Sequence, residues 1–368
     1  MVSAWSLGRL RGIELRIDFS WFIVFILLSW TLSTYYFPKH YHFSPWLNWT
    51  TGILASLLLF FSVIIHELGH SLVAQKQGKE VRSITLFILG GVAQITKEPA
   101  SPYEEFSIAI AGPLTSFALA IIFAGLWWVT GDFSEPISAL AKYLTIINVI
   151  LGTFNLLPGY PMDGGRVLRA ILWKTTGKLR KATQTASRVG QGIAFFFISF
   201  GLFQILTGPW LNGLWLMFIG WFLHNASQKS YQQVLLKELL VNIKAKDLMN
   251  PDFITVSPDI SLQQLVNEHI LISGDRTFIV TKDEKILGMI CLKDIKKVVP
   301  EKQPYISVKE TMVPKSDLVL VTPEEEAIQV LHRLSIRDVH QIPVVVSEKV
   351  VGMITRNDII KWLQIRTE

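Results

Sequence analysis

The chain has 368 residues, half of them apolar and only 17% charged, with a mean hydropathy of +0.38. An ordinary soluble globule, with about a quarter of its residues charged, is excluded by that balance. The net charge of +6 would suit a nucleic-acid partner, but much of the surplus flanks apolar runs, where membrane orientation accounts for it, and no nucleic acid is expected.

In chain order, six apolar stretches approach or exceed the roughly 20 helical residues that cross a hydrocarbon core. They lie near 19–37, 48–75, 106–130, 137–157, 189–207 and 210–226. The first is expected to be a retained span, since it is long and no small-residue cleavage site follows it. Gly208-Pro209 is expected to turn the last two into a hairpin. Arg9, Arg11 and Arg16 precede the first span, and Lys76, Lys79, Arg82 and Lys97 follow the second. A third basic cluster, from Arg166 to Arg188, lies between the fourth and fifth, whereas the opposite loops offer Lys39 and Lys142. Cations mark the cytoplasmic side, so both termini of a multi-pass cell-membrane protein are expected there. The single Cys291 excludes an intrachain disulfide and suits a reducing compartment.

The second span carries Ile64-Ile-His-Glu-Leu-Gly-His70. Helical residues four apart share a face, so His66 and His70 can offer two imidazoles to one metal, with Glu67 beside them as general base. Imidazole and carboxylate donors suit zinc. Three ionisable groups amid Leu57-Leu-Leu-Phe-Phe-Ser-Val-Ile-Ile65 need a compensating partner, and a bound metal supplies one. A third ligand must come from elsewhere. After the fourth span, Asn155-Leu-Leu-Pro-Gly-Tyr-Pro-Met-Asp-Gly-Gly-Arg166 contains the lone carboxylate of Asp163, which is equally readable as a turn residue.

Together, His-Glu-x-x-His in one span and Asn-x-x-Pro with Asp-Gly about ninety residues later resemble the site-2 protease family of intramembrane metalloproteases. The resemblance implies a single catalytic Zn2+ on His66, His70 and Asp163, and Glu67 as catalytic base or acid. It also implies an oxyanion donor at Asn155, whose side chain could instead stabilise the helix break at Pro158. Single-span membrane proteins, regulators among them, are the implied substrates. The segment 80–96 is expected to form a β-hairpin about Gly90-Gly91, either pairing with an unwound substrate or simply connecting two spans. Ala111-Gly-Pro-Leu-Thr-Ser116 is expected only to pack, and Glu104 and Glu105 to lie on a solvated helix start.

Beyond Ala226 the chain turns polar, and 227–243 is expected to link the membrane domain, 1–226, to an internal repeat covering 244–300 and 301–368. Each copy opens with Met and Pro, at Met249 and Pro251 and again at Met312 and Pro314. Each closes alike, with Gly288-Met-Ile-Cys-Leu-Lys-Asp-Ile295 and Gly352-Met-Ile-Thr-Arg-Asn-Asp-Ile359. This looks like a tandem pair of CBS domains, which implies an adenine nucleotide held by Asp294, Thr355 and Asp358, or else a packing module through which two chains pair. The expected architecture is a polytopic α-helical membrane protein with short β-hairpins, followed by a cytoplasmic α/β domain. A transporter carrying the same regulatory domains would leave the His-Glu-x-x-His segment unexplained.

Overall fold

The computed structural model describes residues 5–88, 90–96, 99–208, 210–336 and 339–367. Lys97 and Pro209, which enter the charge and turn expectations, lie outside them. The chain divides into two compact units, Met1–Val234 and Leu235–Glu368.

The first unit opens with strands that the search for apolar spans does not foretell. β1 (Trp5–Leu10) and β2 (Ile13–Ile17) form an antiparallel hairpin across Arg11 and Gly12, both at positive φ, as tight hairpin turns between right-twisted strands require. β2 pairs in parallel with β3 (Val81–Phe87), which pairs antiparallel with β4 (Gly90–Ile95). The sheet order β1-β2-β3-β4 leaves β1 and β4 as its edges. The hairpin expected in this region is present, but its turn comes earlier than Gly90-Gly91. Phe87 pairs with Gly90 and Leu86 with Gly91, so both glycines belong to the strand.

Among the described residues, five helices are long and apolar enough to cross a membrane: α1 (Phe19–His40), α2 (Pro45–Lys76), α3 (Pro102–Thr130), α4 (Glu135–Asn155) and, after the shorter α5 (Asp163–Thr176), α6 (Leu179–Thr207). Their starts follow from local chemistry. Asp18, Ser44 and Ser101 accept hydrogen bonds from Ser20, Leu47 and Glu104 backbone N–H groups, and Pro45 and Pro102 occupy first-turn positions that need no donor. The sixth expected span falls in α7 (Trp210–Leu240), which is not among the five. Asn212, His224 and Asn225 dilute its apolar half. The same helix runs through most of the expected linker, to Leu240.

In the second unit, β5 (Thr255–Val256), β6 (Thr277–Lys282), β7 (Lys285–Cys291) and β8 (Val313–Pro314) form one sheet, and β9 (Gln341–Val346) and β10 (Lys349–Thr355) another. Single bridges, Val321 to Val344 and Asn250 to Met353, give the second sheet the counterparts of β5 and β8. The copies therefore exchange their opening segments. Val308 packs into the core of the first copy with Leu262, Phe278 and Ile290, while Ala245 and Leu248 pack into that of the second with Val330, Leu334 and Ile342. This exchange explains the repeated motif. A Cβ on Gly288 would meet Met312 Sδ at 2.8 Å, and one on Gly352 would meet Met249 Sδ at 2.9 Å. The opening Met of each copy is thus seated on the closing Gly of the other.

Candidate metal centre

His66 and His70 lie one turn apart on α2 and are both buried. Asp163, the first residue of α5, brings its Oδ2 to 3.1 Å from His66 Nε2 and 3.0 Å from His70 Nε2, and the two nitrogens are 3.3 Å apart. The three residues expected from separate motifs are thus brought together. Donors about 2 Å from a tetrahedral zinc lie roughly 3.3 Å from one another, so the cluster has the size of a zinc site.

The hydrogen bonds behind the rings supply a second test of fit. His70 Nδ1 lies 2.7 Å from the Ile108 carbonyl oxygen, which can only accept, so Nδ1 carries the proton. The Nε2 of a neutral ring is then a lone pair, and it faces a carboxylate and a second imidazole. Acceptors facing acceptors in a buried site are unfavourable unless a cation lies between them. His66 Nδ1 is held by Ser116 Oγ at 2.8 Å. Metal-bound histidines commonly have such outer partners, which fix ring orientation.

Both partners lie on α3, in or near the segment expected only to pack. Ile108, Gly112 and Ser116 are spaced four apart and share one face of that helix. Gly112 is needed there because a Cβ would lie 2.1 Å from His70 Nε2 and 2.7 Å from His66 Nε2. The Glu67 side chain makes no hydrogen bond to a described residue, and β4 crosses beside it, the Cβ position of Gly91 lying 2.6 Å from Glu67 Cγ. Asn155 is not joined to the cluster by a hydrogen bond. Its Nδ2 donates to the Leu151 carbonyl at 3.0 Å, within its own helix.

Glu105 departs most from expectation. It is completely buried, not solvated, and its Oε1 accepts from Arg169 Nε at 2.7 Å and from Arg169 Nη2. Carboxylates are rarely buried unless paired, and this pairing spans 64 residues, beyond the reach of a local sequence pattern. Glu104 does pair at the helix start, with Lys79 at 2.8 Å.

In the second unit, a cavity of about 950 Å³ is lined by Asp294 and Thr355 together with Arg276, Lys293, Lys296 and Arg356. Asp358 is not part of that lining. Its Oδ2 accepts from Thr355 N and Oγ1 at 2.8 and 2.7 Å, forming a helix cap. Asp294 does the same with Cys291, whose N and Sγ donate at 3.2 and 2.8 Å. Burial alone would raise the Asp294 carboxyl, but hydrogen bonds from Cys291 and Lys297 hold it below the usual range, and burial followed by that same bond pushes the Cys291 thiol up.

Comparison with known proteins gives the family. The profile of Peptidase family M50 matches residues 54–136 and 132–199, and that of the CBS domain matches 245–301 and 308–365. A protein of Synechocystis sp. named as a zinc metalloprotease is 35% identical over 364 residues, 97% of this chain and 94% of that one. A zinc metalloprotease of Methanocaldococcus jannaschii is 33% identical over 311 residues, 84% of each chain. A solved site-2 protease from the same archaeon is 31% identical, with a TM-score of 0.44, and covers 62% of this chain and 95% of that chain. The chain therefore belongs to the site-2 protease family, Peptidase family M50, as a membrane zinc metalloprotease with a tandem pair of CBS domains.

Proposed function

We propose that this protein hydrolyses peptide bonds of single-span membrane proteins, regulators among them, within or beside the bilayer, at one zinc held by His66, His70 and Asp163. The supporting observation is the approach of three donors to within 3.0–3.3 Å of one another, with Glu67 on the same turn of α2. Zinc bound there would act as a Lewis acid, polarising the scissile carbonyl and acidifying water. Glu67 accepts the proton of the attacking water and returns it to the leaving amine. Asn155 serves the developing oxyanion by exchanging its bond to the Leu151 carbonyl for one to the substrate. An extended substrate pairs with the free edge of β4, which borders Glu67.

The membrane domain spans 1–226 and crosses the cell membrane six times, the apolar half of α7 included. Both termini are cytoplasmic, as the basic clusters of alternate loops support. The segment 227–243 connects it to the CBS repeats, 244–300 and 301–368. Their cleft takes an adenine nucleotide, with Asp294 and Thr355 toward the ribose, Asp358 bracing Thr355, and the four lining cations toward phosphate. Leu271 and Ile272, 73% and 78% exposed on the first repeat, offer an apolar patch through which two chains pair.

The test is cleavage of a panel of single-span membrane proteins by the purified protein, beside Glu67→Gln, with bound zinc quantified in both. Loss of a general base is expected to lower the rate by about 100-fold or more at equal zinc content. Undiminished cleavage by Glu67→Gln at equal zinc would remove Glu67 from the mechanism.

A further inference from the structure

One face of α3 holds both candidate histidine ligands and the helix that carries the third. Ser116 holds His66 and the Ile108 carbonyl holds His70. Glu105, three residues before Ile108 on the same face, holds α5, the helix that begins at Asp163. Its Oε1 accepts from Arg169 and lies 3.9 Å from Arg166 Nε. Arg166 and Arg169 follow Asp163 at steps of three, on one side of α5. The Arg169 guanidinium is further confined by the Tyr160 ring, 5.2 Å from its centroid. Glu105 Oε2 is buried and has no hydrogen-bond partner among the described residues. All the carboxylate's hydrogen bonds to them therefore go to one arginine.

We infer that Glu105 is a positioning residue for Asp163: by fixing Arg169, it sets the rotation and depth of α5 and so the distance of the Asp163 carboxylate from His66 and His70. This rests on the assignment of those three residues as zinc ligands. If α5 rotates or withdraws, Asp163 leaves the cluster while both histidines stay, because their outer partners lie on α3. The expected result is a site that still has two ligands but binds zinc more loosely.

The experiment uses the full chain in detergent, stripped of metal, with zinc affinity measured by competition against a chromophoric chelator and the thermal midpoint of the metal-free protein recorded beside it. Glu105→Gln is expected to loosen zinc by about 10–100-fold, the usual range for an outer-shell partner. The double variant Glu105→Met with Arg169→Met replaces the buried pair by apolar side chains, a change that commonly preserves folding, and should loosen zinc as much. In an Asp163→Asn background, Glu105→Gln should change affinity by roughly twofold or less, since residues acting through one another are not additive. Full wild-type affinity in the double Met variant, at an undiminished thermal midpoint, would overturn the inference. So would an equal loosening by Glu105→Gln with and without Asp163, the mark of a general structural role. If Asp163→Asn itself binds zinc as tightly as wild type, the ligand assignment fails, and the inference with it. Should Glu105→Gln not fold, the double Met variant decides.

Discussion

His70 shows how little freedom the centre has. Its Nδ1 proton goes to the Ile108 carbonyl at 2.7 Å, so the ring can neither flip nor swing without losing a buried hydrogen bond. The nearest available space is already occupied by α3, which approaches closely because residue 112 is glycine. An added methyl group at that position would lie 2.1 Å from Nε2, and a terminal ring atom could escape it only by releasing Ile108 or by separating two packed helices. Gly112→Ala is therefore expected to fold, since alanine favours helix, yet to lose zinc affinity by about tenfold or more. Metal content after dialysis against a weak chelator, compared with wild type and with Ala109→Gly on the same helix, would reveal it. Wild-type retention by Gly112→Ala would mean that α3 gives way easily and does not define the site.

The edge strand β4 is the element whose role is most open to test. It has β3 on one side and nothing of its sheet on the other, and it borders Glu67. Along a strand, successive N–H groups point alternately to the two sides, and proline removes one of them. Proline placed singly at Val92, Ala93 and Gln94 should therefore divide by parity. One parity breaks the pairing with β3 and lowers the thermal midpoint, whereas the other leaves the fold and zinc content intact and lowers cleavage by about tenfold, as the loss of a substrate pairing bond of 1–1.5 kcal/mol would. Cleavage that follows only the thermal midpoint would reduce β4 to a connector. Five of the six expected spans and the presence of this hairpin, though not the position of its turn, were legible in the sequence because hydropathy and β-prone runs are local signals. The β1–β2 hairpin was harder to see: alternation over Leu10, Ile13, Leu15 and Ile17 about Arg11-Gly12 is a short signal beside a span. The His-Glu-x-x-His motif pointed directly to two of the three candidate ligands, which the fold brings beside Asp163. By contrast, Ser116 and Glu105 acquire roles only through contacts 50 and 64 residues away, which no window along the chain contains.

At the scale of the whole molecule, the question is whether the second unit reports to the first. Exchange of the opening segments interlocks the two CBS copies, with Met249 and Met312 each seated on the other copy's glycine. Their cleft carries Arg276, Lys293, Lys296 and Arg356 against Asp294 and Asp317, a net positive surface suited to phosphate. Lys293 and Lys296 are exposed, so alanine at both should spare the fold while removing two charges from the cleft. A nucleotide at 100 times its dissociation constant stabilises the state that binds it by about 2.7 kcal/mol, and one bound tenfold more weakly by about 1.4 kcal/mol. The rise in melting temperature on adding an adenine nucleotide should therefore fall by about half in Lys293→Ala with Lys296→Ala. An equal rise in both proteins would put the nucleotide outside this cleft, and no rise in either would leave the repeats as a packing module. Coupling requires more than binding, since a ligand shifts an equilibrium only through different affinities for its two states. If the melting temperature responds but the cleavage rate is unchanged by saturating nucleotide, the cleft is a stabilising site and not a regulator. If the rate moves in wild type and moves less in the double alanine variant, proteolysis in the first unit is under the control of the second.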